Sequence, residues 1–201
     1  MKLGILDYKA CNIGSVKSSL YRLGIDPIIV DKPEQIQMMD KLIIPGVGSA
    51  KNCINFLKNN SFVEPIINFL KKKTILGICL GMQIFLTKLH EDGISDGLNV
   101  IGGEVLPLST DKKKFNIGWS ELKLYNSHDF IKIDNLSSFY YCHSYYVSLK
   151  DKTNCFAIID VNKKIPAIIL KDNFIGTQFH PEKSQTNGKE FLKLFLNWKK
   201  N

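Results

Sequence analysis

Apolar segments alternate with amphipathic ones in the first eighty residues, and this pattern restricts the fold more than any other feature of the chain. The sequence predicts buried strands at residues 3–6, 27–30, 41–44 and 74–76, with helices at 13–23, 50–58 and 62–72 and a short one opened by Pro33. Strands that alternate with helices indicate a mostly parallel sheet with helices on both faces. Such sheets bind ligands at the carboxyl ends of their strands, which here carry Asp7, residues 45–48 and Cys79.

The second half of the chain has a different pattern, in which glycines and polar turns separate short strands. Strands are predicted at residues 100–105, 119–124, 139–142, 145–149, 156–160, 167–170 and 174–179, and a final helix at 188–198. Neither a repeat nor a low-complexity linker divides the 201 residues. We therefore expect one α/β domain over residues 1–201, with an antiparallel extension of its sheet.

The composition limits the classes of partner. The formal net charge is +8, but Arg22 is the only arginine and most lysines are dispersed, whereas base and phosphate recognition relies heavily on arginine. A solvated lysine surface is favoured over a nucleic-acid-binding patch. No apolar run of about 18 residues predicts a membrane span, and residues 1–7 read as a strand, not as a signal peptide. Five cysteines without metal-ligand spacing indicate free thiols in a reducing cytoplasm.

Cys79 lies between a predicted strand and a predicted helix, with Gly77 and Gly81 two residues to either side. Apolar residues follow at helical spacing, namely Met82, Phe85, Leu86 and Leu89. This arrangement has the form of a nucleophile elbow, whose sharp turn lifts the reactive side chain above the sheet. A helix N-terminus beside the sulfur favours the reactive thiolate. The alternative for a cysteine in an apolar run is a buried structural thiol.

A cysteine nucleophile needs a base, and the chain has four histidines. His90 and His128 lie in charged, polar surroundings and are expected to face solvent, and the aromatic run around His143 is typical of a hydrogen-bonded structural histidine. His180 ends a predicted strand and precedes a proline, which favours extended backbone. Glu182 then lies two residues on, on the same side, where a carboxylate can orient the imidazole.

The loop of residues 45–48, Pro-Gly-Val-Gly, follows the third predicted strand. Its glycines allow backbone N–H groups to turn toward a bound oxygen, although a plain strand-to-helix turn fits the same sequence. An acyl-transfer site needs such donors for its oxyanion. The N–H of Leu80, next to the nucleophile, is the natural second donor.

Together these motifs resemble the class I (triad) glutamine amidotransferases. The resemblance rests on the elbow at residues 77–83, the loop at 45–48 and the segment Gln-Phe-His-Pro-Glu-Lys-Ser at 178–184. Over essentially the whole chain, the sequence is similar to the glutaminase subunits of imidazole glycerol phosphate synthase, an enzyme of histidine biosynthesis. The resemblance implies the three-layer α/β amidotransferase fold, with a mostly parallel central sheet, helices on both faces and an antiparallel extension.

The resemblance also assigns roles to individual residues. It implies Cys79 as the nucleophile, His180 as the acid and base, and Glu182 as its orienting partner. The further residues that it implies are Val47, Gly48 and Leu80 for the oxyanion site, Gln83, Glu91, Ser144 and Tyr145 for the glutamine pocket, and Asn12 and Trp119 for a partner interface. It implies no metal and no organic cofactor.

The implied activity is the hydrolysis of L-glutamine to glutamate and ammonia through a γ-glutamyl thioester. In the family, ammonia passes through an internal route to a cyclase subunit, a (β/α)8 barrel that forms a heterodimer with the glutaminase and makes imidazole glycerol phosphate and AICAR. The oxyanion loop of the family is often misaligned until the partner binds its acceptor. We therefore expect low activity of the isolated chain.

Three segments depart from the family's pattern. The first motif, Asp-Tyr-Gly-x-Gly-Asn, has Lys9 and Cys11 in place of its glycines, Ala50 replaces a phenylalanine after the loop, and Asn116 stands where a histidine is usual. Two alternatives therefore stay open. One is a paralogous glutaminase that supplies ammonia to a different synthase, for example in amidino-sugar formation for surface polysaccharide. The other is a non-catalytic partner-binding subunit, which the intact cysteine, histidine and glutamate set disfavours.

Overall fold

The structure, a computed structural model, describes residues 1–9, 11–108, 115–126 and 138–198. The helices are α1 (Ile13–Tyr21), α2 (Ala50–Asn59), α3 (Val63–Leu70), α4 (Leu80–Gln83) and α5 (Gln185–Asn197), with 3-10 helices at Pro33–Met38, Lys152–Asn154 and Pro181–Lys183. The strands are β1 (Leu3–Leu6), β2 (Ile28–Val30), β3 (Lys41–Ile44), β4 (Thr74–Ile78), β5 (Leu86–Leu89), β6 (Ser95–Asp96), β7 (Ile101–Pro107), β8 (Asn116–Glu121), β9 (Lys123–Leu124), β10 (Ser138–His143), β11 (Tyr145–Leu149), β12 (Cys155–Asp160), β13 (Lys164–Lys171) and β14 (Phe174–Thr177).

An eight-stranded sheet in the order β2-β1-β3-β4-β14-β13-β12-β9 forms the centre of the molecule. Its first five strands are parallel, and the last three continue it in antiparallel fashion. The strand β14 pairs with β4, so that Gly176 lies opposite Gly77 although about a hundred residues separate them. Two smaller sheets, β11-β7-β5-β6 and β10-β8, lie outside the central one. The predicted mixed sheet with an antiparallel extension is therefore correct.

Two hydrophobic cores lie on opposite faces of the central sheet. In β1, Leu3 and Ile5 belong to the core that contains α1 and α5, whereas Leu6 belongs to the core that contains α2 and α3. This alternation follows because successive side chains of a strand point to opposite faces. The result is three layers, with helices on both sides of the sheet. None of the helices in the described parts of the chain is long and apolar enough to cross a membrane.

The helix expected after Cys79 is the main error of the sequence prediction. The helix α4 ends at Gln83, and Leu86–Leu89 form β5, which pairs in parallel with β7. Residues 80–86 are all buried. Where every side chain is buried, apolar spacing cannot distinguish a helix from a turn followed by a strand.

The remaining differences concern element boundaries. The strand predicted at 119–124 is two strands, β8 and β9, and the one predicted at 174–179 ends at Thr177. The helix α5 begins at Gln185 instead of residue 188, and α1 ends at Tyr21 instead of residue 23. His128, which is predicted to face solvent, lies outside the described residues.

Candidate active site

Cys79 occupies the sharp turn between β4 and α4. Its backbone has φ 52° and ψ −107°, a conformation that residues other than glycine rarely adopt. The N–H of Cys79 donates to the carbonyl of Thr177 at 2.6 Å, and its own carbonyl accepts from Met82 and Gln83 at 3.0 and 3.1 Å. These bonds hold the strained turn at the carboxyl edge of the sheet.

Close backbone packing explains the glycines around this turn. A Cβ atom on Gly81 would lie 2.0 Å from the carbonyl oxygen of Ile44, and one on Gly46 would lie 2.2 Å from the backbone nitrogen of Gly81. The turn and the loop of residues 45–48 therefore contact each other backbone to backbone. No side chain fits between them.

The substitution Gly81→Ala should lower the free energy of unfolding by about 3 kcal/mol, because the carbonyl of Ile44 cannot yield without moving β3. Denaturant-induced unfolding measures the change. The control is Gly14→Ala on α1, where a Cβ has no atom within 4 Å, and alanine there should be neutral or slightly stabilising. Equal unfolding free energies for the two variants would contradict the packing described for the turn.

His180 follows β14, the neighbour of β4, and this pairing brings its imidazole to Cys79. Its Nδ1–H donates to Oε1 of Glu182 at 2.9 Å, and both side chains are only 2% exposed. Burial lowers the pKa of His180, but hydrogen bonds with Cys79 and with Glu182 outweigh burial and raise it to about 10. The imidazolium is therefore the favoured form at neutral pH, and it places a positive charge beside the sulfur.

Two glutamine side chains are linked to the cysteine by consecutive hydrogen bonds. Nε2 of Gln178 donates to Sγ of Cys79 at 3.5 Å, and Oε1 of Gln178 accepts from Nε2 of Gln83 at 3.3 Å. Gln83 also donates to the carbonyl of Tyr145 at 3.1 Å. Gln178 has no role among the predicted site residues, although its position two residues before His180 indicates a side chain on the same side in extended backbone.

A cavity of about 280 Å³ opens over the thiol. The predicted site residues that line it are Val47, Gly48, Cys79, Leu80, Gln83, Glu91, Ser144, Tyr145 and His180. Three predicted residues do not line the cavity. Glu182 lies behind His180, Asn12 caps α1, and Trp119 lies on β8. Residues without a predicted role also line it, namely Gly46, Phe115, Ile117, Cys142, His143 and Lys183. Among the described residues, no group of three or more His, Cys, Asp or Glu side chains could hold a metal ion.

The loop of residues 45–48 is held by Tyr8. The hydroxyl of Tyr8 donates to the carbonyl of Pro45 at 3.0 Å. Burial raises the pKa of Tyr8, so this hydroxyl stays neutral. Val47 and Gly48, both expected at the oxyanion site, line the cavity, and Gly48 has a φ of 90°.

His143 forms part of the cavity wall as a neutral side chain. Its Nδ1–H donates to the carbonyl of Tyr145 at 2.8 Å, and its Nε2 accepts from Nδ2 of Asn116 at 3.3 Å. Burial lowers the pKa of His143 to about 4. The side chain is thus hydrogen-bonded as expected. His90, which was expected to face solvent, is half-buried and contacts Glu104 at 3.0 Å.

A family model described as "Glutamine amidotransferase class-I" matches residues 4–198. The chain belongs to this family. Among the relatives of this amidotransferase is the imidazole glycerol phosphate synthase subunit HisH 1 of Campylobacter jejuni (strain RM1221), 40% identical over 199 residues that cover 96% of this chain and 98% of that protein. The HisH subunit of Lactococcus lactis subsp. lactis (strain IL1403) is 38% identical over 197 residues, which cover 97% of this chain and 98% of that protein. The HisH subunit of Bacillus subtilis (strain 168) is 32% identical over 202 residues, which cover 96% of this chain and 94% of that protein.

Solved structures resemble this amidotransferase along almost its entire length. A glutamine amidotransferase crystal structure superposes with a TM-score of 0.75 at 17% identity and covers 98% of this chain and 97% of that chain. A chain of PurLQS from Thermotoga maritima gives a TM-score of 0.75 at 20% identity, with the same coverage. At these identities the likeness concerns the fold alone. It confirms the predicted three-layer amidotransferase fold.

Proposed function

We propose that this amidotransferase is the glutaminase subunit of an imidazole glycerol phosphate synthase in histidine biosynthesis. In this function it hydrolyses L-glutamine as a single domain and passes the ammonia to a cyclase subunit of the (β/α)8-barrel type. The observation that carries the proposal is the buried arrangement of Cys79, His180 and Glu182 under one cavity. Full-length relatives named HisH support the choice of synthase. The five cysteines, all within the described residues, form no disulfide, which suits a reducing cytoplasm.

The proposed reaction uses the three side chains in succession. The Cys79 thiolate attacks the side-chain carboxamide of glutamine, and backbone N–H groups stabilise the tetrahedral oxyanion. His180 gives its proton to the leaving nitrogen, which departs as ammonia and leaves a γ-glutamyl thioester. The same histidine then takes a proton from water, which attacks the thioester and releases glutamate. Glu182 keeps the imidazole oriented and stabilises its charged form.

The proposed partner surface lies on β8, next to the cavity. Ile117 and Trp119 alternate along the strand, Phe115 directly precedes it, and all three are exposed. Such apolar patches mark interaction sites. The ring of Trp119 packs edge-on against Tyr140, with the ring centroids 6.2 Å apart. We place the cyclase subunit on this surface, because ammonia released at Cys79 must reach its acceptor without passing through bulk water.

The substitution Trp119→Ala should weaken binding to the cyclase subunit about tenfold or more, because a tryptophan at the centre of an interface commonly contributes that much. Isothermal titration of the two subunits measures the dissociation constant. Tyr21→Ala is the matched control, since Tyr21 is 49% exposed and Trp119 48%, and Tyr21 is the last residue of α1, at the end of that helix away from Asn12. Equal dissociation constants for the two variants would place the partner elsewhere.

The function itself is tested with the histidine-pathway cyclase subunit of the same organism. Glutamine-dependent synthesis by the pair supports the proposal, with turnover that rises strongly over that of the isolated chain. The paralogous glutaminase would be favoured if the histidine cyclase neither stimulates glutamine hydrolysis nor uses the ammonia that it releases. A glutamine-like affinity label distinguishes the third reading, because a non-catalytic subunit would leave Cys79 unlabelled.

A further inference from the structure

Glu91 makes a contact that substrate binding does not require. Its Oε2 accepts from the backbone N–H of Ala50 at 2.5 Å. Ala50 is the first residue of α2, and Gly48 lies two residues before it. Glu91 is half-buried and lines the cavity, so one carboxylate contacts both the site and the end of the loop.

The chemistry of a helix start explains this contact. The first N–H groups of a helix have no acceptor within the helix, and a negative charge is favourable at that end. The hydroxyl of Ser49 accepts from Asn52 at 3.4 Å, and Glu91 takes the N–H of Ala50. Burial raises the pKa of Glu91, and the hydrogen bond from Ala50 opposes this change.

The loop is thereby fixed at both ends. At its start, Pro45 is bonded to Tyr8, and Gly46 packs against the backbone of Gly81. At its far end, the contact between Ala50 and Glu91 fixes the beginning of α2. Gly48 lies between these two anchors, and a glycine can readily change its backbone angles when one anchor is lost.

We propose that Glu91 is a positioning residue for the oxyanion loop, which it ties to the cavity wall through Ala50, in addition to its expected contact with glutamine. This inference rests on the proposed function. An ionised carboxylate has about four lone-pair sites, so one oxygen holds the N–H of Ala50 while the other accepts from the α-ammonium of glutamine. Bound substrate then stiffens the carboxylate and the loop together.

Three substitutions separate the two contacts. Glu91→Gln keeps an oxygen that accepts from Ala50 but loses the charge that attracts an ammonium. Glu91→Ala loses both contacts, and Glu91→Asp keeps the charge but shortens the reach to Ala50. The control is Glu104→Ala on β7, an exposed acid whose partner is His90, the residue before Glu91.

The probe is 5-oxopentanoate, an aldehyde that has no α-amino group. Its carbonyl carbon forms a bond with Sγ of Cys79, the carbonyl π bond opens, and the oxygen takes the proton of His180, which gives a thiohemiacetal. No further reactant is needed. Because the probe has no ammonium, its inhibition constant does not depend on an ammonium contact with Glu91. A higher inhibition constant in a Glu91 variant therefore reports a change at the reacting centre, including the oxyanion loop.

The full chain is assayed in complex with the cyclase subunit, for kcat and KM with glutamine and for the inhibition constant of the aldehyde. Glu91→Gln should raise KM about tenfold or more with kcat and the inhibition constant near wild type. Glu91→Ala and Glu91→Asp should raise the inhibition constant about 10- to 100-fold and lower kcat. Glu104→Ala should change none of these values.

An inhibition constant in Glu91→Ala and Glu91→Asp that stays at or below the wild-type value would overturn the positioning role and leave Glu91 as a substrate ligand. If Glu91→Ala does not fold, Glu91→Asp decides alone. Absence of glutaminase activity in the wild-type complex would instead overturn the proposed function, and this inference with it.

Discussion

Replacing Cys79 with alanine should abolish glutamine-dependent synthesis while the ammonia-dependent reaction of the cyclase subunit continues. The sulfur atom forms the covalent bond to the substrate, and no other group can take its place. Removal of a nucleophile of this type typically lowers kcat by about 10⁴-fold or more. Release of glutamate and formation of the cyclase product, measured with glutamine and with ammonium salts, separate the two activities.

The matched control is Cys155→Ala. Cys155 is a second buried cysteine, but it lies on β12, outside the cavity. This variant should keep glutamine turnover, because it shortens a side chain of the core that does not contact the active site. Glutamine hydrolysis that survives in Cys79→Ala would show that the reaction does not pass through this thiol.

The substitution Glu182→Gln should lower kcat by roughly 10³- to 10⁴-fold, because an amide cannot stabilise the imidazolium and favours other tautomers of the ring. The pKa of His180 should fall, since the hydrogen bond from Nδ1 to Glu182 is one of the contacts that raise it to about 10. Titration of His180 by NMR measures this change. The exposed Glu190, which contacts Lys193 at 2.8 Å, provides Glu190→Gln as the control without effect.

The same substitution should change how stability depends on pH. The pKa of His180 is about 10 in the folded chain and about 6.5 in the unfolded chain. The charged ring therefore contributes its full stabilisation below about pH 6.5 and loses it as the pH rises toward 10. Urea unfolding at several pH values should show this loss in the wild type and a smaller loss in Glu182→Gln. Identical slopes for the two proteins would contradict the coupling.

The strand and helix pattern predicts much of the central sheet, because each of its elements is defined by local apolar periodicity. It does not predict that β14 returns to the middle of the sheet. Residues 167–170 and 174–179 read locally as a pair of strands that turn at residues 171–173, and that pairing is present. The second pairing of β14, with β4, depends on sheet order, which no local segment of sequence determines.

The residues of the candidate active site also differ in whether local sequence predicts them. Cys79, His180 and Glu182 are found from short motifs, since each motif needs only neighbouring residues. The contacts that support them join distant segments, as between Gln178 and Cys79 or between Glu91 and Ala50. Such contacts follow from packing, so the sequence could name the reacting groups but not most of the side chains that hold them.

The pairing of β14 with β4 also has a consequence for the order of folding. While the chain is being made, β4 stays at an open edge until residues 174–177 arrive, about a hundred residues later. At about 5 to 20 residues per second, that delay is about 5 to 20 s, and closing so long a loop is slow. An open edge strand is prone to aggregation during this time. Until His180 has been added and β14 has paired, Cys79 also lacks its histidine, so an unfinished chain cannot hydrolyse glutamine.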